Sequence, residues 1–196
     1  MSLHSEKVAA RQALKARRAA LPDAARRLAS ATAARHVLTS HILDGARTVA
    51  LFAAFGDEAD PALVGELFEG TIVYPAVTPE GLVFRAAPRF TLAPAPPFGI
   101  PEPPTSARAI EDIDVFVTPG LGFTRDGRRL GYGKGYYDRA LTAARARNPA
   151  ARAIGFAFTT QLVDDLPAGP DDAIVDAVVT EDGLFFTHPE RLEIAK

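Results

Sequence analysis

Four apolar runs, each of strand length, set the strongest limit on what this chain can fold into. They cover residues 48–55, 114–118, 153–158 and 177–180. Continuous apolar runs of this length are typical of strands in parallel sheets, because helices cover both faces of such a sheet. Helix-prone stretches follow the first two runs, and an alternation of strand and helix indicates an α/β fold. The pattern therefore predicts a mostly parallel central sheet.

Further elements are predicted around these four strands. Shorter strands are expected at residues 71–74, 82–86 and 184–186. Helices are expected at residues 5–20, 22–40, 61–68 and 136–147. Pro22 and Pro61 suit opening turns, where a missing N–H costs no hydrogen bond. We expect a three-layer α/β sandwich with helices on both faces of the sheet, the two N-terminal helices packed on it, and a single domain over residues 1–196.

A proline-rich stretch interrupts this alternation. Residues 94–104 contain six prolines, which exclude a helix or a central strand there. An interdomain linker is one explanation, but the pieces on either side are small for separate domains. We therefore expect an ordered excursion over the surface of one domain.

Charge and composition exclude several classes of protein. The net charge is −2, so the chain as a whole is not attracted to nucleic acid or to an anionic membrane. No cysteine is present, which excludes disulfides and sulfur metal sites. The first 20 residues lack the apolar core of a signal peptide, and no stretch reaches the roughly 20 apolar residues of a membrane span. We expect a cytoplasmic monomer.

The histidines do not indicate a metal site. They are scattered along the chain: His4, His36, His41 and His188. His36 and His41 are five residues apart, which is not the spacing of one helical face. We expect all four to be surface or incidental residues.

Residues 128–138 are the strongest candidate for chemistry. They read Arg-Arg-Leu-Gly-Tyr-Gly-Lys-Gly-Tyr-Tyr-Asp, with three glycines at alternate positions. Glycine lets a chain approach a ligand closely, and its backbone N–H groups can then line an anion-binding concavity. The following helix adds its positive end, and Lys134 and Arg129 add two cations. The segment matches neither the P-loop nor the dinucleotide fingerprint. It predicts a polyphosphate site for ATP; a flexible turn is the alternative.

Other charged residues are ambiguous when each is taken alone. Lys7 and Arg11 are four residues apart on one helical face, which suits phosphates or simply solvent. Asp138 could cap a helix or bind Mg²⁺ beside phosphates. Glu58 and Asp172 would each pass as ordinary loop charges.

Several motifs together resemble the 5-formyltetrahydrofolate cyclo-ligases, also called 5,10-methenyltetrahydrofolate synthetases. The most specific is the run Gly-Tyr-Gly-Lys-Gly-Tyr-Tyr-Asp-Arg at residues 131–139, preceded by residues 117–123. Lys7 and Arg11 resemble the family's N-terminal Lys-x-x-x-Arg. Further matches, in chain order, are Glu58, residues 98–103, Asp172, residues 175–176 and residues 179–181. The likeness covers essentially the whole chain.

The resemblance implies an enzyme that uses ATP and Mg²⁺ to convert 5-formyltetrahydrofolate into 5,10-methenyltetrahydrofolate. The formyl oxygen is expected to attack the γ-phosphate, and N10 then closes the ring as phosphate leaves. Lys134 and Arg129 would be catalytic, since they stabilise charge on the phosphoryl group, and Asp138 and Asp172 would bind the metal.

The resemblance also assigns binding residues. Those implied for ATP are Lys7, Arg11, Arg129, Leu130, Gly131, Tyr132, Gly133, Lys134, Gly135, Tyr136 and Tyr137. Those implied for the folate are Arg11, Ala53, Glu58, Tyr132, Gly133, Lys134, Gly135 and Tyr136. A carboxylate such as Glu58 can accept hydrogen bonds from the paired N–H groups of a pterin.

Two departures from the family pattern bear on these assignments. The chain has no tryptophan, whereas many relatives place one in the folate pocket near residues 84–90. Phe84 or Phe90 could take over the stacking on the pterin. Phe52, Phe55 and Phe98 could line the pocket, with core packing expected for Phe52. Asp60-Pro61 replaces the usual acidic-Thr pair, which affects a helix cap more than catalysis.

Two other functions remain open at this point. One is a catalytically silent relative that keeps the fold and serves as a binding protein, including one for nucleic acid. The other is a different ATP- or sugar-phosphate-binding enzyme on a similar open sheet. The matched charges at both ends of the chain favour the cyclo-ligase over either.

Overall fold

The computed structural model describes residues 2–187, and seven of the strands in that range form one central sheet. The helices are α1 (Leu3–Ala19), α2 (Asp23–Thr39), α3 (Ala62–Leu67) and α4 (Tyr136–Arg147). The strands are β1 (Thr48–Ala50), β2 (Thr71–Thr78), β3 (Gly81–Ala86), β4 (Ala93–Ala95), β5 (Ile100–Glu102), β6 (Val115–Thr118), β7 (Gly122–Phe123), β8 (Arg129–Leu130), β9 (Arg152–Phe156), β10 (Ala177–Thr180) and β11 (Gly183–Phe186).

The central sheet has the order β11-β10-β9-β6-β1-β2-β3. Its five inner strands pair in parallel, and only the two outermost pairs, β2 with β3 and β10 with β11, are antiparallel. The prediction of a mostly parallel sheet is confirmed. The chain passes from β1 to β2 on one side and later enters β6 on the other side of β1. The strand order therefore reverses between β1 and β6, where open α/β sheets form a ligand-binding crevice outside the carboxyl ends of the strands.

Alternating strand residues feed two separate cores. On one face, Val115 and Val117 of β6 pack with α2 and α3. On the other face, Phe116 packs with Leu141 and Ala144 of α4. Successive strand side chains point to opposite faces, so a fully apolar run is what a sheet between two helical layers requires. The three-layer prediction is confirmed.

Helix α1 occupies a different place from α2. Its buried residue Leu14 packs with Leu121, Leu130 and Leu166, which lie in the segments that follow β6 and β9 at the carboxyl edge of the sheet. Lys7, Arg11, Leu14 and Arg18 recur at spacings of four, three and four, so they share one helical face. This face of α1 therefore turns three cations toward the carboxyl edge of the sheet.

The two largest differences from the predicted strand bounds are at β1 and β2. The strand expected over residues 48–55 ends at Ala50, although Leu51 still donates its N–H to Val73 at 2.9 Å. The buried run then continues as a loop at the carboxyl edge. The strand expected over residues 71–74 extends to Thr78 and forms a hairpin with β3. Pro75 is accommodated in it because β1 pairs only with the first three residues of β2.

The proline-rich stretch forms an ordered excursion, as expected. Strands β4 and β5 make a small antiparallel hairpin outside the central sheet. Glu102 fixes it to the sheet by accepting the N–H of Val77 at 3.1 Å. Among residues 2–187, no helix has both the length and the apolar character needed to cross a membrane.

Candidate functional site

The glycine-rich segment lies where the sequence analysis expected it, between a strand and a helix. It leaves β8 and enters α4, whose N-cap is Gly135. Gly133 and Gly135 have φ values of 96° and 65°, a backbone region that side-chain-bearing residues rarely adopt. A Cβ on Gly133 would also lie 3.0 Å from Nη2 of Arg11. Glycine at position 133 therefore permits both the turn and the close approach of α1.

Helix α1 supplies cations to this segment. Arg11 donates from Nε to the carbonyl of Gly131 at 2.9 Å. Lys7, one turn earlier, pairs with Asp172 at 2.5 Å between Nζ and Oδ2. The two N-terminal residues and the C-terminal aspartate are thus brought together with the glycine-rich segment, as the resemblance implies.

Arg129 and Asp138 form a second ion pair beside the first. Nη2 of Arg129 lies 2.6 Å from Oδ1 of Asp138, and the arginine side chain is only 5% exposed. The same oxygen accepts the N–H of Ala173 at 3.2 Å. Asp138 therefore contacts the residue that directly follows Asp172, the other aspartate implied as a metal ligand.

Both aspartates keep an oxygen available. Among the described residues, Oδ2 of Asp138 and Oδ1 of Asp172 have no hydrogen-bond partner. Burial acts to raise the pKa of Asp172, but hydrogen bonds from Lys7 and from the N–H of Gly169 outweigh it and hold that pKa below its ordinary value. No group of three histidine or acidic side chains within residues 2–187 is arranged to hold a metal ion.

Lys134 lies at the exposed tip of the segment. Within the part of the chain that the structure describes, its ammonium group makes no hydrogen bond or ion pair, while its carbonyl accepts from Nη1 of Arg139 at 3.1 Å. Its ammonium group is therefore accessible to an anion from solvent.

Glu58 lies across the crevice, in the loop that follows β1. Its Oε2 accepts the N–H of Phe55 at 3.1 Å, and its Oε1 accepts the hydroxyl of Tyr132 at 3.3 Å. Burial raises the pKa of Glu58 above its ordinary value, against the Phe55 N–H and the charge of Arg18. Ala53 is 5% exposed, so it can offer a ligand little beyond its backbone.

The sequence analysis did not identify Arg18. Its side chain is 2% exposed, and Nη2 donates to Asp57 at 2.5 Å and to the Tyr132 hydroxyl at 2.7 Å. Arg18 lies seven residues after Arg11 on the same face of α1, and this spacing is the signal that could have revealed it.

The aromatic candidates separate into core and surface residues. Phe52 packs against Phe156 with ring centroids 6.5 Å apart. Phe84 is 7% exposed and packs edge-on against Phe116 at 5.4 Å. The suggestion that Phe84 stacks on the pterin is therefore wrong, because its ring is already enclosed in the core. Phe90 is 88% exposed and remains a candidate.

The other aromatic candidates are at least partly exposed or lie in the glycine-rich segment and the start of α4. Phe55 and Phe98 are both about half exposed. Tyr136 has the guanidinium of Arg139 5.4 Å from its ring centroid. Tyr137 lies under Arg129 at 5.7 Å, and its buried hydroxyl has no partner in the described range.

Three residues that carry the family resemblance serve the scaffold instead. Glu102 joins the proline-rich hairpin to the sheet. Asp176 is 2% exposed and binds Arg145 of α4 at 2.7 Å. Glu181 accepts the N–H of Thr159 at 2.9 Å. These contacts fix loops and α4 around the sheet.

Among the described histidines, none hydrogen-bonds to a candidate site residue. His36 contacts the carbonyl of Glu181 through Nε2 at 3.2 Å, and His41 contacts Asp44 at 2.9 Å. His4 is exposed, and His188 lies outside the described residues.

Two depressions mark the surface. One of about 480 Å³ adjoins the crevice and is lined by Glu58, Gly56 and residues of α2 and α3. A larger one of about 680 Å³ lies at the opposite edge, around Arg47 and Phe68. Of the candidate site residues, Glu58 alone lines the smaller depression and none lines the larger one.

Comparisons with known proteins identify relatives along most of the chain. A model of the 5-formyltetrahydrofolate cyclo-ligase family matches residues 3–181. The 5-formyltetrahydrofolate cyclo-ligase of Escherichia coli K12 is 30% identical over 174 residues, covering 84% of this chain and 93% of that protein. The mitochondrial 5-formyltetrahydrofolate cyclo-ligase of Arabidopsis thaliana is 39% identical over 93 residues, which span 44% of this chain and 34% of that protein.

Solved structures extend this similarity to the fold. The 5,10-methenyltetrahydrofolate synthetase of Aquifex aeolicus aligns with a TM-score of 0.78 and 28% identity over 92% of each chain. The synthetase of Mycoplasma pneumoniae aligns with a TM-score of 0.70 and 25% identity, over 90% of this chain and 99% of that one. Some curated relatives match over shorter stretches, and the chain spans 34% and 43% of the Arabidopsis and Mycolicibacterium smegmatis proteins.

Proposed function

The chain belongs to the 5-formyltetrahydrofolate cyclo-ligase family of enzymes, and on that premise we propose that it converts 5-formyltetrahydrofolate into 5,10-methenyltetrahydrofolate. The proposed co-substrate is ATP with Mg²⁺, and the other products are ADP and inorganic phosphate.

The convergence of four chain segments on one crevice carries the proposal. The hydrogen bond from Arg11 to Gly131 and the ion pair of Lys7 with Asp172 join α1 to the glycine-rich segment and to the loop at residues 169–173. The hydroxyl of Tyr132 joins the same segment to Glu58. A reaction between two substrates needs both to be held side by side in this way.

The phosphate chain of ATP is proposed to bind at the cationic side. Lys7, Arg11 and Lys134 would contact it, together with backbone N–H groups at the N-terminus of α4. Arg129 would stabilise the charge that develops on the transferred phosphoryl group, where catalysis is mostly positioning and electrostatics. Arg129 is nearly buried and paired with Asp138, so its guanidinium is held in one place before a substrate arrives.

Asp138 and Asp172 would hold Mg²⁺. Both are carboxylates with one unpartnered oxygen in the described chain, and hard oxygen ligands are those that Mg²⁺ prefers. The bound ion would neutralise part of the phosphate charge, with its other ligands taken from ATP and water.

The folate is proposed to bind on the Glu58 side. The Glu58 carboxylate would accept hydrogen bonds from the pterin, Tyr132 and the segment backbone would border it, and the backbone of Ala53 would lie behind it. The exposed Phe90, Phe55 and Phe98 are the aromatic rings available to stack on the pterin or close over it.

The proposed chemistry balances in two steps. The formyl oxygen attacks the γ-phosphorus, the bond from phosphorus to the bridging oxygen breaks, and ADP leaves. N10 then bonds to the formyl carbon and loses its proton. The carbon–oxygen bond breaks, and inorganic phosphate leaves with the former formyl oxygen. We propose that a single cytoplasmic chain carries out both steps.

A direct assay tests the proposal. Purified protein is mixed with ATP, Mg²⁺ and 5-formyltetrahydrofolate, and the near-UV absorbance gained by the methenyl product is followed. We expect product in step with ADP and only when ATP is present. A folded protein that forms no product but binds either ligand would instead support the catalytically silent relative.

A further inference from the structure

The guanidinium of Arg18 is buried at the meeting point of α1, the loop after β1 and the glycine-rich segment. Only 2% of its side chain is exposed, and arginine is almost never buried this fully unless it is paired. Its Nε has no partner in the described structure, so burial leaves part of the guanidinium unsatisfied. Packing alone therefore does not explain an arginine at this position.

The contacts of Arg18 link the two sides of the crevice. Nη2 donates to Asp57 at 2.5 Å and to the hydroxyl of Tyr132 at 2.7 Å. Nη1 lies 3.8 Å from Oε1 of Glu58. That same oxygen accepts the Tyr132 hydroxyl at 3.3 Å, which closes a small network around the guanidinium.

We propose that Arg18 is a positioning residue that holds Glu58 and Tyr132 together and presents the Glu58 carboxyl group to the folate. The inference rests on the proposed function, because it takes Glu58 to be the group that binds the pterin. Arg18 itself lies behind these residues and acts on the substrate only through them.

The charges that face Glu58 act in opposite directions. Burial raises the pKa of Glu58, the charge of Arg18 lowers it, and the charge of Asp57 raises it. Tyr132 donates a hydrogen bond that favours the carboxylate, and the Tyr137 phenol also faces it. Across the adjoining depression lie Arg26, Arg27, Asp60 and Glu66.

Because these charges shift the pKa of Glu58 in opposite directions, a titration of Glu58 can distinguish a positioning role of Arg18 from a purely structural one. Arg18→Met keeps the length of the side chain and removes its charge. Asp57→Asn keeps the shape and removes the neighbouring negative charge. NMR titration of the ¹³C-labelled Glu58 carboxyl, in the protein without ligands, measures its pKa in each variant. We expect that pKa to rise by about one unit or more in Arg18→Met and to fall in Asp57→Asn.

Arg18→Lys is the matched control, since it restores the positive charge without the planar guanidinium. It should return the pKa of Glu58 most of the way to the wild-type value. If Arg18→Met does not fold, Arg18→Gln, which also removes the charge but keeps a polar side chain, takes its place. A Glu58 pKa that stays within 0.3 units of the wild-type value (about the precision of such a titration) in the charge-removing Arg18 variant overturns the proposal.

A second readout separates this proposal from the proposed function. Equilibrium binding of 5-formyltetrahydrofolate should weaken about tenfold or more in Arg18→Met, with MgATP binding changed by less than about threefold. Equal losses for both ligands would mean that Arg18 is only a structural support. A wild-type protein that binds no folate would refute the proposed function, whereas the titration would still report whether Arg18 controls Glu58.

Discussion

The two sides of the crevice are built from the same residue types but in opposite proportions. On the proposed nucleotide side, the cations Lys7, Arg11, Arg129 and Lys134 outnumber the carboxylates of Asp138 and Asp172, with which Arg129 and Lys7 pair. On the Glu58 side, Arg18 contacts two carboxylates, Asp57 and Glu58. The first arrangement suits a polyphosphate, and the second suits a ligand that presents N–H donors.

The carboxylates of the two sides also differ in the direction in which folding shifts their pKa. Hydrogen bonds to Lys7 and Gly169 lower the pKa of Asp172, whereas burial raises the pKa of Glu58. Folding therefore favours the anionic form of Asp172 and disfavours that of Glu58. A poorly solvated carboxylate gains more free energy from a ligand's hydrogen bonds than a well-solvated one does. Burial of Glu58 would therefore strengthen its binding of a ligand.

The largest effect is expected from the nucleotide side. Lys134→Ala should lower kcat/KM for ATP by about 100- to 1000-fold, because an electrostatic contact to the transferred phosphoryl group is lost. Folate binding without ATP should change little. Steady-state kinetics with each substrate varied will measure this. Lys15→Ala removes an exposed lysine on the same helix as Lys7 and is the control; equal losses in both variants would contradict the phosphate role of Lys134.

A smaller effect is expected from the folate side. Glu58→Gln keeps the shape of the side chain and removes its charge, so KM for 5-formyltetrahydrofolate should rise about tenfold to a hundredfold. KM for ATP should stay within about threefold. Loss of ATP affinity with unchanged folate affinity would reverse the assignment of the two sides.

The smallest effects concern stability and have opposite signs. Because the pKa of Asp172 is lowered on folding, its contribution is present above its ordinary pKa and is lost as pH falls through the folded pKa. Asp172→Asn should therefore lower Tm at pH 7, by the equivalent of under about 1 kcal/mol, and have little effect in acid.

Glu58 should behave in the opposite way. Its pKa is raised on folding, so its contribution is present at low pH and is lost as pH rises through the folded pKa. Glu58→Gln should leave Tm unchanged or raise it by a few degrees at pH 7. Thermal unfolding of both variants at pH 4 and pH 7 will measure the two signs, and equal signs at pH 7 would contradict the account.

The strands of the central sheet could be predicted from the sequence because each is a short local run of apolar residues. The apolar runs around Val115–Thr118 and Ala177–Thr180 are buried on both faces, as their composition indicates. The run after Thr48 was predicted too long. Apolar composition reports burial, and the buried residues 51–53 lie in a loop that packs as tightly as a strand.

The site could be predicted only where the residues carry a motif. Arg129, Lys134 and Asp138 lie in one segment, and the family pattern supplied Lys7 and Asp172 from the two ends of the chain. Their ion pairing with each other depends on how α1 crosses the sheet edge, which no local pattern contains.

Arg18 and Phe84 show two ways in which prediction from the sequence alone fails. An arginine side chain is usually exposed, yet tertiary packing buries Arg18 among Asp57, Glu58 and Tyr132. Phe84 lies where the family resemblance implies a pterin-stacking ring. The alternation of side chains along β3 nevertheless directs it into the core. Side-chain direction in both cases is set by contacts between distant segments.

The central claim is that the crevice brings the formyl oxygen of one substrate to the γ-phosphate of the other. Turnover of 5-formyltetrahydrofolate labelled with ¹⁸O in the formyl group tests it most directly, with mass analysis of the released phosphate. The account predicts one ¹⁸O atom in each inorganic phosphate formed. Methenyl product accompanied by unlabelled phosphate would contradict it.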